Sequence, residues 1–235
     1  MTTERSLDAY ARRARLQPAL VCAFPLALSL APLVDGLSTW WTATGGSLLT
    51  WCGGTYLFTQ LIRDRGGEIE PILFESWGGP PTTRLLRHRG AANPVAVAHR
   101  HAQLRRLLPH LRIPSALEET ADPTGADHVY ETAVGHLREA TRDQKTFPLV
   151  FEENSNYGFR RNLLSVRRWG LGAAVAGLAL VTGSLLAEFS VWAGGVFLVD
   201  AAFLIFYARV LKPSWVKKAA DRYAERLLGA ADQLP

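Results

Sequence analysis

Four stretches of this chain carry almost no charge, and they restrict its fold more than any other feature. Residues 16–34 and 36–62 contain no Asp, Glu, Lys or Arg, although Gly45, Gly46 and Ser47 interrupt the second stretch. Residues 170–187 are uncharged, and residues 189–208 carry a single charge, Asp200. A helix crosses the hydrocarbon core of a bilayer with roughly 20 mostly apolar residues, and about 17 suffice. All four stretches meet that length, and none shows the polar face of a helix lying on a soluble core. The sequence therefore predicts an all-α membrane protein with two transmembrane helical hairpins, residues 16–62 and 169–211. An N-terminal arm (1–15) precedes them, an α-helical domain (63–168) separates them, and an amphipathic helix (212–235) follows. A soluble protein with long buried helices is the alternative. The mean hydropathy of +0.04 is too apolar for a typical soluble domain and too polar for a chain that is all membrane.

Charge placement orients the spans. Arg5, Arg12, Arg13 and Arg15 precede the first, and Arg63 and Arg65 follow the second. Arg160, Arg161, Arg167 and Arg168 precede the third, and Arg209, Lys212, Lys217 and Lys218 follow the fourth. The two tight connections, residues 35–47 and 188–190, have neither Lys nor Arg. Basic residues collect on the cytoplasmic side, so both termini and the middle domain are expected there. Trp40, Trp41 and Trp192 fall at outer span ends and Trp169 and Trp215 at inner ends, where amphipathic rings settle. The first span has a basic start but no small-residue cleavage site, and a second span follows at once, so it reads as an anchor. Cys22 and Cys52 lie inside spans, with no disulfide framework or metal spacing, and are expected to be reduced packing residues.

In the middle domain, Gly66-Gly67, Gly78-Gly79-Pro80-Pro81, Asn93-Pro94, Ile113-Pro114 and Asp122-Pro123 read as turns or helix starts. Asn93 is predicted to cap a helix from Pro94 to about Leu108. Thr82 or Thr83 is predicted to cap a short helix ending at His88. Residues 126–143 place Val129, Ala133, Val134 and Leu137 on one helical stripe. No useful alternation of a strand is present.

Residues 76–117 contain no Asp or Glu, yet they hold Arg84, Arg87, Arg89, Arg100, Arg105, Arg106 and Arg112, with His88, His99, His101 and His110 among them. The guanidinium fork suits phosphate oxygens, and such a run is the footprint of a polyanion. Arg84, Arg87, Arg89, Arg100, Arg105 and Arg106 are thus the predicted phosphate ligands; a surface facing anionic lipid is the alternative. The histidines have no carboxylate or Cys partner at a useful spacing, so no metal is expected.

Asp200 lies near the middle of the fourth span. An ionisable group there costs about 3 kcal/mol on insertion scales and marks an ion path or a bundle interior. Symmetric assembly would make it a ring of acids lining a pore. The alternative is a protonated Asp bonded to Thr182 or Ser184. The third span carries small residues one turn apart, Gly170/Ala174, Ala173/Gly177 and Ala179/Gly183, which permit close helix contact in lipid. In the tail, Trp215/Val216, Ala219/Ala220, Tyr223/Ala224 and Leu227/Leu228 oppose a charged face. This helix either lies along the membrane or joins a bundle.

No hydrolase, phosphate-loop, zinc-protease or cysteine motif is present, so no catalytic residue or cofactor is predicted. Glu152 and Glu153 read as acids near a helix start. Asn154 or Asn156 is predicted to cap the helix leading into the third span, with Gly158 allowing a close contact. Tyr157, Arg160 and Arg161 are expected to couple ligand-binding helices to pore helices.

Three stretches carry a resemblance: Trp77-Gly-Gly-Pro-Pro-Thr-Thr-Arg84-Leu-Leu-Arg87-His, Asn154-Ser-Asn-Tyr157-Gly-Phe-Arg160-Arg161-Asn, and Ala14-Arg-Leu-Gln-Pro18-Ala-Leu. Through them nearly the whole chain resembles the membrane effectors of Hailong-type bacterial antiviral defence systems. The resemblance implies a homotetrameric ion channel of the bacterial inner membrane with conical cytoplasmic domains. A partner nucleotidyltransferase would supply single-stranded oligodeoxyadenylate that binds those domains and keeps the channel closed. Infection would remove the DNA, and the open pore would depolarise the cell. If bases stack on the protein, Tyr130, Phe147, Phe151, Tyr157 and Phe159 are the candidates. An effector opened by a nucleotide second messenger and a non-conducting membrane scaffold are the competing readings.

Overall fold

A computed structural model describes Tyr10, residues 12–30 and residues 55–235. Among these residues the chain is helical and has no strand, as expected. The helices are α1 (Gln17–Leu30), α2 (Thr55–Ser76), α3 (Pro81–Leu86), α4 (Pro94–Leu107), α5 (Ala116–Ala121) and α6 (Pro123–Ala140). α7 (Pro148–Ser165), α8 (Arg167–Ala187), α9 (Val191–Ile205) and α10 (Pro213–Gly229) follow. Trp40, Trp41, Cys52 and the expected first hairpin turn lie outside the described residues.

The chain divides into two compact units. The first comprises residues 71–157 and 217–235, and the second comprises described residues of 9–70 together with 158–216.

In the first unit local chemistry sets the helix starts. Asn93 accepts a hydrogen bond from the Ala96 N–H with Pro94 at the first helical position, as predicted. Ser115 and Glu118 form a reciprocal capping box at α5, and the Asp122 side chain caps α6 by accepting from the Gly125 N–H. α3 departs from expectation. It starts at Pro81, so Thr82 and Thr83 lie inside it, and Arg87 is already extended. Proline fits the first turn because its φ is preset and its missing N–H would have had no partner.

The core of this unit gathers Leu86, Leu104, Tyr130, Ala133, Leu137 and Leu227 from α3, α4, α6 and α10. Burying one such Leu contributes about 2 kcal/mol. Of the two alternatives for the tail, it joins the bundle. It is also part of the same unit as the middle domain, rather than the separate segment expected.

In the second unit Ala19, Cys22, Ile62, Leu163, Val166 and Tyr207 pack together. Gly66-Gly67 does not break the chain, because α2 runs through it from Thr55 to Ser76. A Cβ on Gly66 would collide with the Asn162 side chain, whose amide donates to the Ala14 carbonyl at 2.6 Å. This glycine makes room for a neighbouring helix rather than for a turn. Asn154 and Asn156 also differ from expectation. They lie within α7, which starts at Pro148, so neither is a cap. Gly158 does sit in close contact, as expected, since a Cβ there would lie 2.9 Å from the Tyr10 hydroxyl.

α8 and α9 meet at residues 188–190, where the second hairpin turn was expected. α9 continues through a π-helical turn, Phe206–Val210. The Arg167 guanidinium donates to the carbonyls of Tyr207 (2.8 Å) and Ala208 (3.1 Å) within that turn. Arg167–Ala187 and Val191–Val210 are the two helices, among the described residues, long and apolar enough to cross a membrane. Only 22% of each apolar window is buried, whereas the core helix of a soluble protein would be mostly covered.

Candidate functional site

The arginine run lacks acids in sequence but not in space. Arg87 makes a two-pronged contact with Asp127 of α6, Nε and Nη2 lying 2.8 and 2.7 Å from its oxygens. Arg89 shares Asp127 at 2.7 Å and reaches Glu119 of α5 at 3.2 Å. Arg112 pairs with Glu118. Arg106 donates to the carbonyls of Ala231 (3.0 Å) and Leu234 (2.9 Å). These arginines first serve the fold, by tying α3, α4 and the loops to α5, α6 and the tail.

Four of the six predicted ligands nevertheless come together. Arg84, Arg87, Arg89 and Arg100 line a cavity of about 480 Å³ in the first unit, and Lys217 of α10 joins them. Arg100 donates one nitrogen to the Leu85 carbonyl at 2.9 Å, which fixes its side chain, and has no carboxylate partner among the described residues. Arg84 lies 3.7 Å and Lys217 lies 2.7 Å from the same Asp221 carboxylate, with about a third of each cationic side chain exposed. The volume falls within the range of small-ligand pockets, while the lining is more charged than is usual for them. Lys217 and Asp221 were legible only as the charged face of the tail. Arg105 and Arg106 lie outside the cavity, and Arg105 is exposed.

The predicted coupling residues are engaged within their own units. Tyr157 is 6% exposed and stacks on Tyr223, the rings nearly parallel with centroids 6.4 Å apart. Arg160 lies over the Trp215 ring at 4.4 Å and donates to the Trp215 carbonyl. Arg161 pairs with Glu70 at 2.8 Å. Among the proposed stacking aromatics, Tyr130, Phe147 and Tyr157 are buried, and Phe151 and Phe159 are half-buried. None is an open platform for bases.

Sequence reading did not single out Glu119, which holds the cavity-lining Arg89. Its side chain is 1% exposed. It accepts from the backbone N–H of His88 (2.7 Å) and of Arg89 (2.9 Å), and from the Tyr130 hydroxyl (2.7 Å). The one available signal was the capping box beside it. His101, also buried, lies edge-on to His88 with ring centroids 4.6 Å apart and stacks on Tyr130 at 5.4 Å. Its Nε2 meets the Leu86 carbonyl at 2.7 Å. No group of three or more His, Cys, Asp or Glu among the described residues could hold a metal ion.

This network makes the unit acid-sensitive. Burial pushes His101 below its ordinary value of 6.5, with His88 and Arg105 adding to the effect and the Leu86 carbonyl and Glu119 opposing it. For Glu119, burial acts upward, but the Arg89 and His88 N–H groups, Tyr130 and Arg89 outweigh it and hold the carboxyl below 4.5. Both folded-state values are depressed, so each group's stabilisation is present above its ordinary value and is lost as the pH falls from there through the lower folded-state value. We expect the thermal midpoint of the full chain in detergent to fall between neutrality and about pH 5, with a steeper fall below about pH 4.5. His101→Gln removes the first limb; a midpoint independent of pH over this range refutes the assignment.

Asp200 occupies a different kind of site, in the second unit. It is 0% exposed. Its Oδ2 accepts from the Ser29 hydroxyl of α1 at 2.6 Å, while Oδ1 has no hydrogen-bond partner among the described residues. Ser29 replaces the expected Thr182 or Ser184. Gly177 is the reason: a Cβ there would collide with Asp200 and Ser29, so its absence lets α1 and α9 meet beside α8. Thr182 lies five residues further along α8, about 7.5 Å away in rise. The carboxyl is enclosed by its own chain, so a ring of acids about an assembly axis requires it to leave this contact. Gly170, Ala174 and Gly177 are likewise buried within the chain, whereas no described residue comes within 4 Å of a Cβ on Gly183.

No family model, curated protein or solved structure matches the chain.

Proposed function

We propose that the chain is a membrane effector of bacterial antiviral defence, of the kind its three motif stretches resemble. It forms an oligomeric ion channel, a homotetramer, in the inner membrane, with four spans per subunit and with both termini and the first unit in the cytoplasm. Single-stranded oligodeoxyadenylate, made by a partner nucleotidyltransferase, binds the first unit and holds the channel closed; losing it depolarises the cell. The chain acts as a receptor and pore, with no catalysis of its own. The observation that carries this reading is the cavity where Arg84, Arg100 and Lys217 converge, in a chain with two helices, among the described residues, that are long and apolar enough to cross a membrane and largely uncovered.

One observation favours a second reading. The cavity has the volume of a site for one nucleotide rather than a track for a strand, which suits a nucleotide messenger that opens the channel. Conductance of the purified protein in planar bilayers, with and without oligodeoxyadenylate, separates the two by sign. Inhibition supports the first, activation by a nucleotide supports the second, and absence of current under every condition refutes both. Arg100→Ala is expected to weaken oligonucleotide control about tenfold or more, the scale of a lost charged hydrogen bond. An unchanged dose dependence would place the ligand elsewhere.

A further inference from the structure

The charges around the cavity define what kind of anion it takes. Five cationic side chains line it: Arg84, Arg87, Arg89, Arg100 and Lys217. Two of these, Arg87 and Arg89, are balanced by Asp127 and Glu119. Arg84 and Lys217 share Asp221, and Glu225 stands on the same wall. Among the described residues, five cations therefore meet four carboxylates, leaving one net positive charge, and the cation without a carboxylate is Arg100.

Asp221 also occupies space. Its carboxylate sits on Arg84 and Lys217, where a second phosphate of any bound ligand would have to go. A phosphomonoester carries about −1.5 to −2 at neutral pH, and a polyphosphate carries more. A phosphodiester, whose second ionisable oxygen is esterified, carries about one negative charge. Like charges placed together discriminate strongly between partners.

We infer that Asp221, with Glu225, is the specificity-determining element of this cavity, which accepts one singly charged phosphodiester at Arg100 and rejects polyphosphates. This rests on the reading of the cavity as a phosphate site, and it separates an internucleotide phosphate from a nucleoside triphosphate or a free polyphosphate. α10 thus supplies both a phosphate-facing cation, Lys217, and the anion that limits how much negative charge can enter.

The test is competition on the full chain in detergent at low salt, with a labelled short oligodeoxyadenylate lacking terminal phosphates as the probe. Unlabelled strand and inorganic tripolyphosphate compete at equal total charge. Wild type should prefer the strand by roughly tenfold or more, and Asp221→Asn should reduce that preference roughly tenfold. Glu225→Gln should act in the same direction and less strongly. Asp221 and its two partners are each about a third exposed, so the amide variant leaves solvated cations and an intact fold. If strand and tripolyphosphate compete equally in wild type, or if neither variant changes the ratio, the inference falls while the receptor reading stands. If neither anion binds at all, both fall.

Discussion

Replacing Glu119 by Ala is expected to destabilise the first unit by about 3–5 kcal/mol, the scale for removing one partner from a buried charged network. The thermal midpoint should drop by roughly 10 °C or more. Four donors lose their acceptor together: the His88 and Arg89 N–H groups, the Tyr130 hydroxyl and the Arg89 guanidinium. The two N–H groups and the Tyr130 hydroxyl are then buried or half-buried without that acceptor, which is dearer than never having made the bond, while the Arg89 guanidinium keeps Asp127. Tyr130→Phe removes a single donor and should cost a fraction of this. Glu118→Ala, on the next residue, is the control. It loses the exposed capping box and its contact with Arg112, so it should melt close to wild type. A Glu119→Ala midpoint within about 2 °C of wild type would show that the network carries no weight.

The second large effect lies in α8, where four glycines differ in what surrounds them. A Cβ on Gly170 would lie 2.5 Å from the Tyr207 ring, and one on Gly177 would collide with Asp200 and Ser29. Gly172 and Gly183 have no atom of the described residues within 4 Å of that position. Gly170→Val and Gly177→Val should each cost about 1–3 kcal/mol or more, because packed neighbours have no room to yield. The Tyr207 ring is held in place, its hydroxyl donating to the Val21 carbonyl at 2.8 Å. In size-exclusion profiles after heating in detergent, these two variants should lose the folded peak at lower temperature. Gly172→Val and Gly183→Val should behave like wild type. Equal behaviour of all four would mean that these close approaches do not hold the helices together.

Much of the architecture was legible because its signals are local. Uncharged runs of membrane length marked α8 and α9, and Asn93-Pro94 marked the start of α4 to the residue. Signals that depend on distant partners were not legible. Gly66-Gly67 resembles a turn, and only the approach of Asn162 explains why a glycine stands at 66 inside a helix. The arginine run looked like an open polyanion surface because its acids, Glu119, Asp127 and Asp221, lie outside the acid-free window and arrive on other helices. The cavity was half visible: Arg84, Arg87, Arg89 and Arg100 were predicted together, but periodicity could not say that α10 would bring Lys217 and Asp221 to face them. Asp200 was recognised as unusual from its depth, while its partner Ser29 is 171 residues away.

The first unit is made of two pieces of chain, 71–157 and 217–235, with residues 158–216 of the other unit inserted between them. During synthesis the earlier piece leaves the ribosome with Tyr130, Leu104 and Leu137 awaiting the side chains of α10 that complete their core. Domains fold as units once their residues are available, so this one stays incomplete while α8 and α9 are being made. The apolar hairpin is thus made before the first unit can close, and a pocket containing Lys217 and Asp221 cannot exist until then. Under the proposed function, ligand control would be acquired last, after the helices it governs.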